Sequence, residues 1–162
     1  MAWTTICSVA PEEMAEGSGM KIVKTAKYSE SAMEALNALL VQLSDAAVPM
    51  KKADFIELVE SDAAHLLMAE DRGRYIGTLT LVVFNIPTGV KARIEDLVVD
   101  GRERGRGVGR RLIVQALDMA RDLGAGSVSL TSNSSRKAAN ALYQNVGFKA
   151  VNTNVYHYKI AP

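Results

Sequence analysis

From Ser29 to Leu43 the apolar residues Met33, Leu36, Leu40 and Leu43 recur three and four positions apart, the spacing that lines one stripe of an α-helix. Pro49 closes that region, and a shorter helix is predicted over 52–61 through Phe55, Ile56 and Val59. Ahead of these helices "MKIVKTA" reads as a strand. After them the period changes to that of strands: "HLLMAED" and "RYIGTLTLVVF" are joined by a hairpin-like turn at Asp71–Arg74, and "ARIEDLVVD" follows a second reversal at Asn85–Gly89. Helical spacing returns at Val108, Leu112, Ala116 and Ala120, beside Ile113 and Leu117, and stops at Gly124. A short strand "SVSLTS", with Val128 and Leu130 facing inward, a helix "SRKAANALYQNV" stopped by Gly147, and a last strand "NVYHYKI" complete the pattern. The predicted order is β-α-α-β-β-β-α-β-α-β, an α/β fold with a mixed, mostly antiparallel central sheet flanked by helices.

Residues 1–19 show no period and end in Gly17-Ser18-Gly19, so they are expected to form a flexible tail ahead of a single domain over 20–162. Composition then narrows the function classes. With 19 basic and 18 acidic residues the net charge is +1, too small for an overall field toward nucleic acid or an anionic membrane. Cys7 is the only cysteine, which excludes an internal disulfide and a cysteine metal cage. His65 and His157 have no third ligand at a useful spacing, so no metal site is expected. No apolar run approaches the ~20 residues of a membrane span, and the N-terminus lacks the pattern of a signal peptide. These features predict a soluble, cytoplasmic protein.

The positive charge is local. "DGRERGRGVGRRLI", 100–113, places Gly105, Gly107 and Gly109 among five arginines, between a strand and a strongly amphipathic helix. A helix that starts there presents about four unpaired backbone N–H groups at its positive end, and the glycines keep side chains clear of an approaching anion. Arg104, Arg106, Arg110 and Arg111 stand ready to meet further charge. The Walker pattern is absent. The dinucleotide pattern would need glycine at Arg110 or Leu112, and leucine at 112 argues against tight helix-to-strand contact there. The plainer alternative is a solvated basic turn whose arginines pair with Asp100 and Glu103. A nucleic-acid patch is weaker, because no aromatic residues are interleaved.

The run "RGRGVG", with Arg104, Gly107 and Gly109, meets the signature Arg/Gln-x-x-Gly-x-Gly/Ala. Tyr143, Gly147 and Phe148 in "ANALYQNVGF" form a second block. With these pieces the chain resembles the GNAT superfamily of N-acetyltransferases from Lys21 to Ile160, and "IEDLVVD" resembles the matching strand of glucosamine-6-phosphate N-acetyltransferases. The resemblance implies acetyl-CoA as the acyl donor. Arg104, Gly105, Arg106, Gly107, Val108, Gly109 and Arg110 would surround its diphosphate, and the backbone of Leu97, Val98 and Val99 would run beside its pantetheine arm like an added strand. Many members carry asparagine seven residues before the helical tyrosine, where this chain has Arg136; Asn133 or Arg136 is expected in that role. Many protein-acetylating members carry glutamate where this chain has Thr131, which points to a small amine as acceptor. Related enzymes are often dimers, so a homodimer is among the implied partners.

Two residues are candidates for the chemistry. A lysine-like amine is the free base in only on the order of one part in 10³ at neutral pH, and Glu95 is the candidate that assists its deprotonation. Strand alternation places Arg93, Glu95, Leu97 and Val99 on one face, Asp96 and Val98 on the other. Tyr143 is the candidate donor to the departing thiolate, and a strand N–H of Leu97 or Val98 would meet the oxyanion. Gln42, Tyr156 and Tyr158 are expected near the acceptor only from the family layout. The expected function is therefore acetyl transfer from acetyl-CoA to a primary amine by direct attack. The alternatives are an acyl-CoA-binding module without catalysis and a protein acetyltransferase acting on an N-terminus or lysine.

Overall fold

A computed structural model describes residues 19–44 and 46–160. Nearly all of the expected tail, with Cys7, lies outside the described residues. The elements are β1 (Met20–Thr25), α1 (Glu30–Leu43), α2 (Lys52–Glu60), β2 (Ala64–Asp71), β3 (Arg74–Ile86), β4 (Gly89–Val99), α3 (Val108–Asp122), β5 (Val128–Ser129) and α4 (Lys137–Val146), with a 3-10 turn at Gly101–Glu103 between β4 and α3. One sheet of order β1-β2-β3-β4-β5 runs antiparallel through β4 and ends in the parallel pair β4–β5.

Each face of the sheet carries its own core. Leu67, Ala69, Ile76, Leu79, Leu81 and Ile94 pack with Val108, Leu112, Ile113, Ala116 and Ala120 of α3. On the opposite face Leu66 and Met68 pack with Ala32 and Leu36 of α1 and Phe55 and Val59 of α2. β2 is thus covered on both sides, which explains its nearly continuous apolar run. Ser29 caps α1, its hydroxyl accepting from the Ala32 N–H at 3.3 Å. The buried stripe of α1 is Ala32, Leu36 and Leu39; Leu40 only flanks it.

Helix-to-strand contact is tight despite leucine at 112, because the small residue sits on the strand. A Cβ built on Gly77 of β3 would stand 3.2 Å from Val108 Cγ1 and 3.3 Å from Leu112 Cδ1. Glycine here brings the start of α3 down onto the sheet.

Two sequence expectations are corrected. Thr80 pairs with Glu95 but Thr78 pairs with Val98, so Asp96 and Leu97 together face the single residue Leu79. This is a β-bulge, and Asp96 takes φ of 51° within it. The extra residue shifts the alternation by one. Val98 joins Arg93 and Glu95 on the α1 side, while Val99, opposite Gly77, returns to the α3 side. The expected last strand over 154–160 is not formed: residues 148–160 carry no regular structure, and Val155, Tyr156, Tyr158 and Ile160 are exposed. A strand requires a partner ladder, and no neighbour among the described residues pairs with this segment.

His65, 5% exposed on β2, has neither ring nitrogen hydrogen-bonded among the described residues. Burial, and then Lys24, lowers its pKa from 6.5, opposed by Asp62. Below that value the unfolded chain binds a proton that the folded chain resists, so folding stability falls as pH drops below about 6.5. His65→Leu removes two unsatisfied polar atoms and is expected to raise the melting temperature by about 2–4 °C at neutral pH. Scanning calorimetry between pH 5 and 8 should also show a flatter acid limb in the variant. A steeper one would contradict this account.

Candidate active site

β4 and β5 pair only at Ala92–Val128 and Arg93–Ser129. Beyond Arg93 the two strands diverge, leaving the edge of β4 that faces away from β3, from Ile94 to Val99, without a strand neighbour among the described residues. A cleft of about 780 Å³ opens beside it, floored by Leu97, Val98 and Val99 and walled by Ala138, Ala139 and Leu142 of α4. A smaller cleft of about 240 Å³ is lined by Ile94, Glu95, Asp96 and Thr131. Leu43, Leu97, Arg136 and Tyr143 line both.

The glycine-arginine loop closes one end. Gly105 and Gly107 have φ of 79° and 76°, left-handed values that residues with a Cβ reach only at a cost. Gly107 caps α3, and the first intrahelical bond runs from Arg111 N to Gly107 O at 3.1 Å. The N–H groups of the first turn therefore have no intrahelical acceptor. Gly105, Gly107, Val108, Gly109, Arg104 and Arg110 all line the cleft. Gly109 also admits α4, whose Leu142 Cδ2 lies 3.0 Å from where its Cβ would stand.

The arginines divide by role. Arg106 lies outside the cleft lining: it is ion-paired with Glu103 and, at 2.9 Å, with Asp71 at the end of β2. The hydrogen bonds that it donates to Glu103 and then Asp71 raise its pKa further. Asp100 spends a carboxylate oxygen on the Arg102 N–H at 3.0 Å. With these acids engaged elsewhere, neither Arg104 nor Arg110 is paired with a carboxylate among the described residues. Arg104 bends back so that its Nε donates to the Val99 carbonyl at 3.4 Å. Asn133 also stands outside the lining. It builds the turn before α4, its side-chain oxygen accepting from Ser135 N–H at 2.9 Å. Arg136 faces both clefts.

Tyr143 is 8% exposed. The spacing Tyr-x₃-Gly-Phe has a local cause. Gly147, at φ of 114°, ends α4 in the left-handed region, and the Phe148 N–H reaches back to Tyr143 O at 3.0 Å. The Phe148 ring then meets the Tyr143 ring edge-on, 6.2 Å between centroids. Burial raises the Tyr143 pKa above 10.0, with Arg136 pulling the other way, so the phenol remains a donor at neutral pH.

Glu95 lies in the smaller cleft, hydrogen-bonded by Arg93 Nε. Next to it is a residue that alternation assigned to the opposite face, Asp96. Partial desolvation, and then the Glu95 carboxylate, raises its pKa. A pattern of alternating residues carries no sign of a bulge, so the pairing of these two acids was not legible beforehand. Gln42 lines the larger cleft and accepts from the Gly101 N–H at 2.9 Å. Tyr156 and Tyr158 line neither cleft.

The described residues hold no cluster of metal-binding side chains and no helix long and apolar enough to cross a membrane. Two matched curated relatives are human N-acetyltransferase 8B, 32% identical over 92 residues, and N-alpha-acetyltransferase RimI of Mycobacterium tuberculosis (strain ATCC 25618 / H37Rv), 30% identical over 113 residues. The first match covers 56% of this chain but only 40% of the human protein; the second covers 70% of each. Among solved structures, an aminoglycoside acetyltransferase from a soil metagenomic sample superposes with a TM-score of 0.80 at 19% identity, covering 89% of this chain and 97% of that one. The aminoglycoside N-acetyltransferase AAC(6')-Iy in complex with CoA gives 0.75 at 19%, over 91% and 99%. The model of the acetyltransferase (GNAT) family matches residues 31–148, a span that runs from α1 through the arginine loop to Phe148, and the chain belongs to that family.

Proposed function

We propose that the chain is an acetyl-CoA-dependent N-acetyltransferase acting on a primary amine of a small molecule in the cytoplasm. One observation carries this reading: a single cleft has helix N–H groups without an intrahelical acceptor and, at the same end, Arg104 and Arg110, which have no carboxylate partner among the described residues, with a buried phenol at the other end and a carboxylate just beyond. Acetyl-CoA supplies the acetyl thioester; its diphosphate fits the loop of Gly105, Gly107, Val108, Gly109 and Arg110, with Arg104 alongside. The free edge of Leu97, Val98 and Val99 offers backbone groups to an amide-bearing arm. Arg136 stands where it meets either ligand.

At the reacting end the acceptor nitrogen forms the new C–N bond as the C–S bond breaks. Glu95, directly or through water, takes the amine's proton. The N–H of Leu97 or Val98 faces the carbonyl oxygen. Tyr143 donates to the sulfur, and water returns the proton from Glu95 to the phenol. Thr131, just past the end of β5, and the Arg93 side chain that contacts it fill the place where an acidic residue would greet a protein N-terminus, which supports a small acceptor. The RimI likeness favours an N-terminal peptide as the second reading. A homodimer is also proposed, supported by the exposed apolar residues Val151, Val155, Tyr156, Tyr158 and Ile160 along one segment of the chain.

Acetyl-CoA at 100 times its dissociation constant is expected to stabilise the fold by about 2.7 kcal/mol, which differential scanning fluorimetry will register. Thiol release should then be followed with spermidine, glucosamine 6-phosphate, an aminoglycoside and a peptide with a free N-terminus. No stabilisation by acetyl-CoA ends the proposal. Stabilisation without thiol release from any amine favours a module that binds acyl-CoA but does no chemistry.

A further inference from the structure

The fork between β4 and β5 is bridged by one side chain. Arg93 is the last residue of β4 to pair with β5, at Ser129. Its Nε donates to Glu95 Oε1, and its Nη2 donates to Thr131 Oγ1, on the other branch of the fork, at 3.1 Å. Arg93 and Glu95, two apart and both before the bulge, project from the same face. Glu95 and Thr131 line the smaller cleft. A guanidinium suits this place because its planar, permanently charged fork donates in two fixed directions at once. An ammonium has neither the plane nor the reach to satisfy both partners.

The pair is open to solvent, with side chains 39% and 41% exposed, and ion pairs of that exposure contribute little to folding. Its geometric consequence is larger. With Oε1 held by Arg93, the carboxylate keeps one orientation and leaves Oε2 for an acceptor N–H or a water. We propose that Arg93 is a positioning residue for acetyl transfer, holding the Glu95 carboxylate and the Thr131 branch at the mouth of the acceptor cleft. The inference rests on Glu95 serving the acceptor amine, as proposed above.

The test combines structure and rate. Crystal structures of the wild-type chain and of Arg93→Gln are expected to show the Glu95 carboxylate in one orientation in the first and dispersed or rotated in the second. With the panel amine that gives the fastest thiol release, Arg93→Gln should lower kcat/KM for that amine by about tenfold or more while the KM for acetyl-CoA stays within about twofold. Arg93→Lys should recover only part of the loss. On a Glu95→Gln background, Arg93→Gln should add almost nothing, since the two act as a unit. A Glu95 carboxylate unmoved in Arg93→Gln overturns the inference whatever the rates do. So does a loss that adds fully on the Glu95→Gln background. If instead the carboxylate moves but Glu95→Gln leaves the rate unchanged, the base role of Glu95 falls, and a positioning role for Arg93 in acetyl transfer falls with it.

Discussion

Replacing Tyr143 with phenylalanine is expected to lower kcat by about 10²-fold, the lower range for loss of a proton donor in a transition state, while the dissociation constant for acetyl-CoA changes by less than about twofold. The substitution removes one oxygen and leaves the ring, so the edge-on contact with Phe148 and the end of α4 persist. Melting temperature should therefore hold within about a degree or two. Isothermal titration calorimetry and single-turnover thiol release separate the two effects. Because burial raises the phenol's pKa, the wild-type rate should show no alkaline fall attributable to this group until the pH exceeds about 10. A Phe variant with wild-type turnover across pH 6–9 removes Tyr143 from the mechanism.

A second large effect is expected far from any reacting atom. Gly77→Val adds a branched side chain where even a Cβ meets Val108 Cγ1 at 3.2 Å, Leu112 Cδ1 at 3.3 Å and the Val98 carbonyl at 3.2 Å. The helix side chains have little room to yield, since Val108 and Leu112 are fully buried, and the carbonyl belongs to the backbone. Overpacking of this kind costs about 1–3 kcal/mol, or roughly 2–12 °C in a domain of this size. The first turn of α3 is both the clashing surface and the proposed anion site, so acetyl-CoA affinity should fall with stability, by about tenfold. Thermal melts with and without acetyl-CoA measure both. A variant that melts like the wild type, or that loses stability with full cofactor affinity, would show that the strand does not set the height of the loop.

The helices and strands through Val146 were legible because each depends on a repeat contained within its own residues. Ser29 capping α1, the alternating runs of β2 and β3 and the stripe of α3 all follow from local spacing. The last strand was not, for a strand's existence depends on a partner edge. The same distinction separates the site residues. Gly105 and Gly107 mark a loop that needs left-handed backbone, and Tyr143 with Gly147 and Phe148 marks a helix end that folds back on itself. Arg104 and Arg106, two positions apart and chemically identical, are placed differently: Arg104 lines the cleft, while Arg106 lies outside its lining, ion-paired with Glu103 and with Asp71 at the end of a distant strand.

By itself, the order of residues determined the sheet-and-helix alternation, the glycine-arginine loop and the phenol at the end of α4, since each is written in contacts no more than a few residues long. Tertiary structure alone decided three things: the bulge at Asp96 that turns Val98 toward Glu95 and Val99 away, the fork where β4 leaves β5, and the bridge that Arg93 makes across it. Each depends on how one strand counts against another, and that register is set by packing between segments tens of residues apart.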